Sequence, residues 1–344
     1  MFASVDDVIT RLNAEGYVCG KNIATVVYLA TKLGKPVLVE GPAGVGKTEL
    51  AKVVSKATGR PMIRLQCYEG LDEAKALYEW EYSKQLLYTQ ILKEKFAEAM
   101  AGATTLRDAA ERVGAQDNVF FSERFIVQRP LLRAIQSETP SLLLIDEVDK
   151  SDPEFEAFLL EVLSDFQVTV PEIGTLEARH IPIVFLTSND AREMSDALKR
   201  RCLHLYIDFP DEALETKILE TKVPGIDVRL AEELVGVMQR LRKLDLKKTP
   251  SISETLDWAR ALIALNAGQL DEALVRDTLN VILKYEADIK KAQSELGRLI
   301  TRKEPAPATA TAPAAATPTG TAAPAATTPA APPQAGAAKK GVLH

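Results

Sequence analysis

Residues Gly41-Pro42-Ala43-Gly44-Val45-Gly46-Lys47-Thr48 put three glycines, a lysine and a hydroxyl into one short stretch. Glycines let a backbone wrap tightly and turn its N–H donors on phosphate oxygens. A lysine beside them reaches β- and γ-phosphates, and the next hydroxyl ligates magnesium. The apolar run Val37-Leu38-Val39 precedes this turn, and Leu50, Val53, Val54 and Ala57 recur behind it at i, i+3, i+4 and i+7. Strand, loop and helix follow in the order a phosphate loop requires, with the positive end of the helix dipole facing the anion. The candidate nucleotide-binding residues are Gly41, Pro42, Ala43, Gly44, Val45, Gly46, Lys47, Thr48 and Glu49.

Three more stretches complete a possible hydrolytic set. Leu142-Leu143-Leu144-Ile145-Asp146-Glu147 is an apolar strand ending in two carboxylates. Asp146, with Thr48, is a candidate magnesium ligand, and Glu147 can accept a proton from an attacking water. Ile183-Val184-Phe185-Leu186-Thr187-Ser188-Asn189 is another apolar strand ending in small polar residues. Asn189 can orient the lytic water, and an asparagine there can equally cap the following turn. Finally, Ser195 to Cys202 reads as a short helix ending in Lys199-Arg200-Arg201. An arginine supplied from there to a neighbouring subunit contributes on the order of 10³–10⁵ in rate. A basic cluster that balances a helix C-terminus is the other reading.

The elements that must position these groups alternate in type. Two helical patterns come first, through Val5, Val8, Ile9 and Leu12 and then Ile23, Val26, Val27 and Ala30. Short apolar runs at 37–39, 62–65, 142–145 and 183–186 have the composition of strands buried on both faces, and a fifth is expected at 203–207. His204 is expected to pack on the other face of the sheet. Helical patterns separate the runs, so the expected class is α/β with a mainly parallel sheet over 1–209. From Pro210 strand signals stop. Leu230 to Leu241, Thr255 to Ala267 and one or two helices across Val275 to Leu299 predict a small helical domain over 210–303.

Two segments stand apart. Between Leu71 and Pro130, Tyr78, Trp80 and Tyr82 alternate with Glu79, Glu81 and Ser83, predicting a strand with an aromatic face. Helical patterns follow at Leu92, Phe96 and Ala99 and at Leu106, Ala109, Ala110 and Val113. From Glu304 to His344 the chain is Ala, Pro and Thr with almost no large apolar residue, a composition expected to stay disordered.

Of the 344 residues, 46% are hydrophobic, enough for a globular core. The net charge of −6 argues against a general nucleic-acid binder. Cys19, Cys67 and Cys202 lie far apart, as free thiols of a reducing compartment do, and His180, His204 and His344 form no ligand cluster. The N-terminal stretch has neither a basic nor an apolar leader region, and no run approaches a membrane span, so a cytoplasmic protein without membrane contact is expected.

In order and spacing these motifs resemble the AAA+ ATPases. Within them the chain is similar to the MoxR family, above all its CoxD-type branch, through Glu40 to Ala51, Leu144 to Lys150, Phe158 to Leu163 with Gln167 to Val170, and Leu186 to Asn189. The resemblance covers roughly the first three hundred residues. It implies ATP and Mg2+ as cofactors, Lys47 and Thr48 in the Walker A motif, and Asp146 and Glu147 in Walker B. It puts Asn189 at sensor 1 and Arg201 at the arginine finger, with Arg200 one register away. It also implies a hexameric ring of this chain, remodelling of a client metalloenzyme, and a von Willebrand factor A-domain partner. An insertion within about 71–130 is also part of that pattern, with substrate contact or packing on its own subunit as its two readings. A nucleic-acid motor or loader is the competing function. One departure stands out: Ser253 falls where the family usually has the sensor-2 arginine, and Arg260 lies two turns later on about the same helix face.

Overall fold

The N-terminal apolar spacing forms two helices, α1 (Val5–Ala14) and α2 (Lys21–Leu33), which bury Val8, Leu12, Ala24, Val27 and Ala30. The computed structural model describes residues 1–91, 93, 105, 107, 123–170 and 173–300. The helical patterns expected across Leu92 to Val113 fall almost wholly, and the tail expected from Glu304 entirely, outside the described residues.

After α2 come β1 (Val37–Glu40), α3 (Lys47–Thr58) and β2 (Met62–Gln66). They lead to α4 (Glu73–Leu77), β3 (Tyr78–Trp80) and α5 (Tyr82–Ile91). Beyond the undescribed stretch lie β4 (Ile126–Gln128), α6 (Pro130–Ile135), β5 (Leu142–Asp146) and α7 (Pro153–Asp165). A hairpin of β6 (Gln167–Val170) and β7 (Gly174–Glu177) precedes β8 (Ile183–Ser188), α8 (Asp196–Arg201) and β9 (Leu203–Tyr206).

Five strands make one parallel sheet in the order β2-β5-β8-β1-β9, which bears out the α/β expectation. Its side chains alternate between two cores, as the period of two demands. Leu38, Leu143, Ile145, Val184 and Leu186 pack on the side of α6 and α7. Val37, Val39, Leu142, Leu144, Ile183 and Phe185 pack on the side of α1, α2 and α3. The C-terminal ends of β5, β8 and β1 therefore stand side by side. Parallel strands lie about 4.8 Å apart, so groups at the ends of β5 and β1 are about 10 Å apart, the reach of a triphosphate with its metal. Ligands of open parallel sheets bind outside these carboxyl ends.

A third core belongs to helices alone: α9 (Glu212–Lys222), α10 (Val228–Leu241), α11 (Ile252–Ala264), α12 (Glu272–Ile282), α13 (Glu286–Ser294) and α14 (Leu296–Ile300). Trp258 is fully buried there, and its indole N–H finds Thr278 Oγ1 at 2.9 Å. The tract from Val275 to Leu299 makes three helices where one or two were expected. Pro210 leads into a polar knot at the root of this region. The buried Glu215 carboxylate receives two N–H bonds from Arg242, at 2.5 and 2.6 Å, one from Gln239 at 2.8 Å, and the Thr255 hydroxyl at 2.7 Å. Arg242 also donates to Pro250 O at 2.9 Å and stacks over Phe209. These contacts tie α9, α10 and α11 to both ends of the connections that enter and leave them.

Two sequence expectations are corrected. The aromatic strand stops at Trp80, because Glu81 O takes the N–H groups of Lys84 and Gln85 at 2.9 and 3.0 Å and starts α5, which leaves Tyr82 exposed on that helix. His204 does sit on the face of β9 opposite Leu203 and Leu205, but it does not pack there. It is half exposed on edge strand β9, and its Nε2 meets Glu40 Oε2 at 2.6 Å. The carboxylate at the end of the adjacent strand outcompetes apolar packing for the imidazole. No helix among the described residues is long and apolar enough to cross a membrane.

Candidate nucleotide site

The loop after β1 takes its shape from its glycines. Gly41 adopts φ 143° and Gly44 φ 77°, both in the region that side chains rarely enter. A Cβ on Gly41 would fall 2.0 Å from Ile207 O, and one on Gly44 would fall 2.2 Å from Ser251 Oγ at the start of α11. The second contact shows how closely the helical region approaches the loop.

Lys47, the first residue of α3, is buried, and its Nζ donates to the carbonyls of Gly41 and Pro42 at 2.7 Å each. Burial pulls its pKa down, while the carboxylates of Asp149, Asp146 and Glu147 oppose that shift. An ammonium held by loop carbonyls at the start of a helix suits an anionic ligand.

Thr48 Oγ1 donates to Asp146 Oδ1 at 2.9 Å, and the Thr187 hydroxyl donates to the same oxygen. Asp146 is almost wholly buried. A hydroxyl and a carboxylate in contact at the mouth of a phosphate loop are hard oxygen donors, which fits magnesium. Glu147 adopts a left-handed conformation, φ 57°, which turns its side chain out of the strand line. Its backbone N–H reaches Thr187 Oγ1 at 2.9 Å. Its Oε2 accepts from Gln66 at 2.9 Å and from Lys150 at 2.6 Å, and its Oε1 lies 3.4 Å from Asn189 Nδ2. The Glu147 hydrogen bond raises the pKa of Lys150.

Lys47, Thr48, Asp146, Glu147, Thr187 and Asn189 share one cleft of about 530 Å³. Its walls include Ala43 to Glu49, Asp146, Glu147, Thr187 and Asn189 on the sheet side. Tyr17, Ile23, Ile207, Pro210, Leu214 and Ile218 make an apolar end, and Ser253 and Arg260 close the helical side. Burial drives the pKa of the Tyr17 phenol up, so it stands there as a neutral group beside Gly46. Glu49 lines the cleft but spends its carboxylate on Lys222, at 3.1 Å. Gly41 and Pro42 act through their carbonyls on Lys47. The Arg260 guanidinium lines the cleft while paired to Asp257 at 3.0 Å.

Arg200 and Arg201 are not brought into this cleft. Both are exposed at the end of α8, whose N-cap is Ser195. Arg201 Nε donates to Ser164 Oγ at 2.6 Å, whereas the Arg200 side chain makes no hydrogen bond or ion pair among the described residues. Cys19, Cys67 and Cys202 are all free thiols; burial pushes Cys67 and Cys202 up to about 12, which keeps them unreactive.

Residues 36–202 match the AAA domain of the dynein-related subfamily. The similarity to an AAA domain is confined to this stretch. It holds the phosphate loop, both carboxylates, Asn189 and the two arginines; the helices from α9 onward follow it. Two uncharacterized relatives come from Staphylococcus aureus (strain NCTC 8325 / PS 47) and Staphylococcus haemolyticus (strain JCSC1435). Each is 27% identical over 241 residues, covering 68% of this chain and 77% or 78% of the relative. Among solved structures, the Thermotoga maritima RuvB Holliday junction branch migration motor is similar, at 16% identity and a TM-score of 0.42 over 81% of this chain and 71% of that one. A point variant of that motor gives 15% identity and a TM-score of 0.45, over 81% and 72% of the two chains.

Four residues of the site were missed in the sequence. Arg64 and Gln66 interrupt the apolar run of β2 two positions apart, so they share a face, and that alternation was the available signal. Thr187 and Lys150 carried none beyond their neighbours.

Proposed function

We propose that this chain is an AAA+ ATPase that hydrolyses ATP with magnesium and uses the energy to remodel another protein. Lys47 leaves its carbonyls for the β- and γ-phosphates. Thr48 and Asp146 would hold the magnesium, which would neutralise phosphate charge. Water attacks the γ-phosphorus as the β–γ bridging P–O bond breaks. Glu147 takes the proton of that water, with Asn189 positioning it, and ADP and inorganic phosphate leave.

The observation that carries this reading is the Glu147 carboxylate, held by Asn189 and Lys150 beside the phosphate loop. A site built only to bind nucleotide needs no such acid. The exposed arginines at the end of α8 support a site completed by a neighbouring copy, and hence a hexameric ring. The Gln167–Val170 hairpin strand and the motif order support MoxR-like kinship of the CoxD type. With that kinship come a client metalloenzyme, a von Willebrand factor A-domain partner and work in the cytoplasm. The test is phosphate release by the purified chain given ATP, with and without magnesium. Release that requires the metal supports the reading, and a chain inert under both conditions ends it.

A further inference from the structure

The Asp146 carboxylate has its acceptor positions filled by the protein's own donors. Oδ1 accepts the hydroxyls of Thr48 and Thr187, and Oδ2 accepts Nε and Nη2 of Arg64 at 3.0 and 2.5 Å. A carboxylate offers about four acceptor positions, and all are taken. Arg64 comes from β2, where register sets Gln66 opposite Asp146. Its guanidinium also touches the Gln66 side chain, which in turn holds Glu147. The carboxylate is buried, but the Arg64 side chain is 46% exposed, so it can swing to solvent without opening the core.

A full positive charge thus sits on the carboxylate that a divalent cation would use. Both cations want the same lone pairs, and they repel each other. We propose that Arg64 is a positioning residue that sets the magnesium requirement of the site. It occupies the Asp146 oxygen that the metal would use and opposes metal capture until bound phosphates draw the metal in. This rests on reading the cleft as a magnesium–nucleotide site.

Manganese occupancy counted by electron paramagnetic resonance, in the presence of a non-hydrolysable ATP analogue, tests it on the full chain. Arg64→Met keeps length and removes charge; Arg64→Gln is a second neutral variant if the first folds poorly. Arg64→Lys restores charge without the forked contact. Removing the charge from a half-exposed pair should lower the half-saturating metal concentration by about tenfold, a surface-discounted effect. The lysine variant should stay within about threefold of the parent. Nucleotide affinity in excess chelator should change by less than about threefold in all of them, because the effect is on the metal. A half-saturating concentration that is unchanged or raised in both neutral variants overturns the proposal, and so does a lysine variant that behaves like the neutral ones. A parent that binds no nucleotide under any condition overturns the reading of the cleft and the inference with it.

Discussion

The Asn189 amide reaches Glu147 Oε1 across 3.4 Å, from the end of β8 to the end of β5. The two strands are direct neighbours in the sheet, and each residue is the first one past its strand, so the side chains meet at the sheet's carboxyl edge. Asn189 is therefore fixed relative to the proposed base and is not merely a turn cap.

Asn189→Ala should lower turnover by about 10²-fold, the cost of a misplaced water, while ATP affinity stays near the parent value. Steady-state phosphate release and equilibrium binding separate the two. Equal losses in both would make Asn189 a structural residue of the loop.

The arginines call for a mixing experiment. If either completes a neighbour's site, its alanine variant should lose about 10³–10⁵ in turnover. Mixing that variant with Lys47→Ala should restore part of the activity, since some junctions then pair an intact loop with an intact arginine. Arg201→Ala and Arg200→Ala are both needed: Arg201 is tied to Ser164, while the Arg200 side chain has no partner among the described residues. A parent equally active at all concentrations, with neither arginine mattering, would contradict a shared site.

Arg242→Ala should cost about 3–5 kcal/mol, because it strands the buried Glu215 carboxylate. Thermal melting measures this. The double variant Arg242→Met/Glu215→Leu should recover much of the loss, as no buried charge remains.

Sheet and site were readable to different depths. The runs at Val37, Leu142 and Ile183 announced buried strands because nothing polar interrupts them, and the loop and carboxylates stood at their ends. Arg64 was hidden in a run read as apolar, since only the pairing of β2 with β5 brings it to Asp146. The Glu215–Arg242 knot joins residues 27 positions apart, and no local pattern reports such a contact. His204 was misread because its partner, Glu40, lies on another strand. The helix over Glu212–Lys222 went unseen because charged residues fill most of its turns.

Binding to a short DNA duplex or single strand should be weak and fall steeply with salt, since only phosphate contact is on offer. Fluorescence anisotropy at several salt concentrations checks this. A salt-resistant complex that speeds ATP hydrolysis would favour a nucleic-acid motor.

The account rests most on Glu147 as the base, and one paired measurement addresses it: ATP affinity and phosphate release on the same preparations of the parent, Glu147→Gln and Lys47→Ala. Glu147→Gln should bind ATP within about threefold of the parent yet release phosphate about 10²–10⁴ times more slowly, because only the proton acceptor is gone. Lys47→Ala should instead lose binding, since phosphate charge is left uncompensated. Hydrolysis by Glu147→Gln at the parent rate would contradict the account.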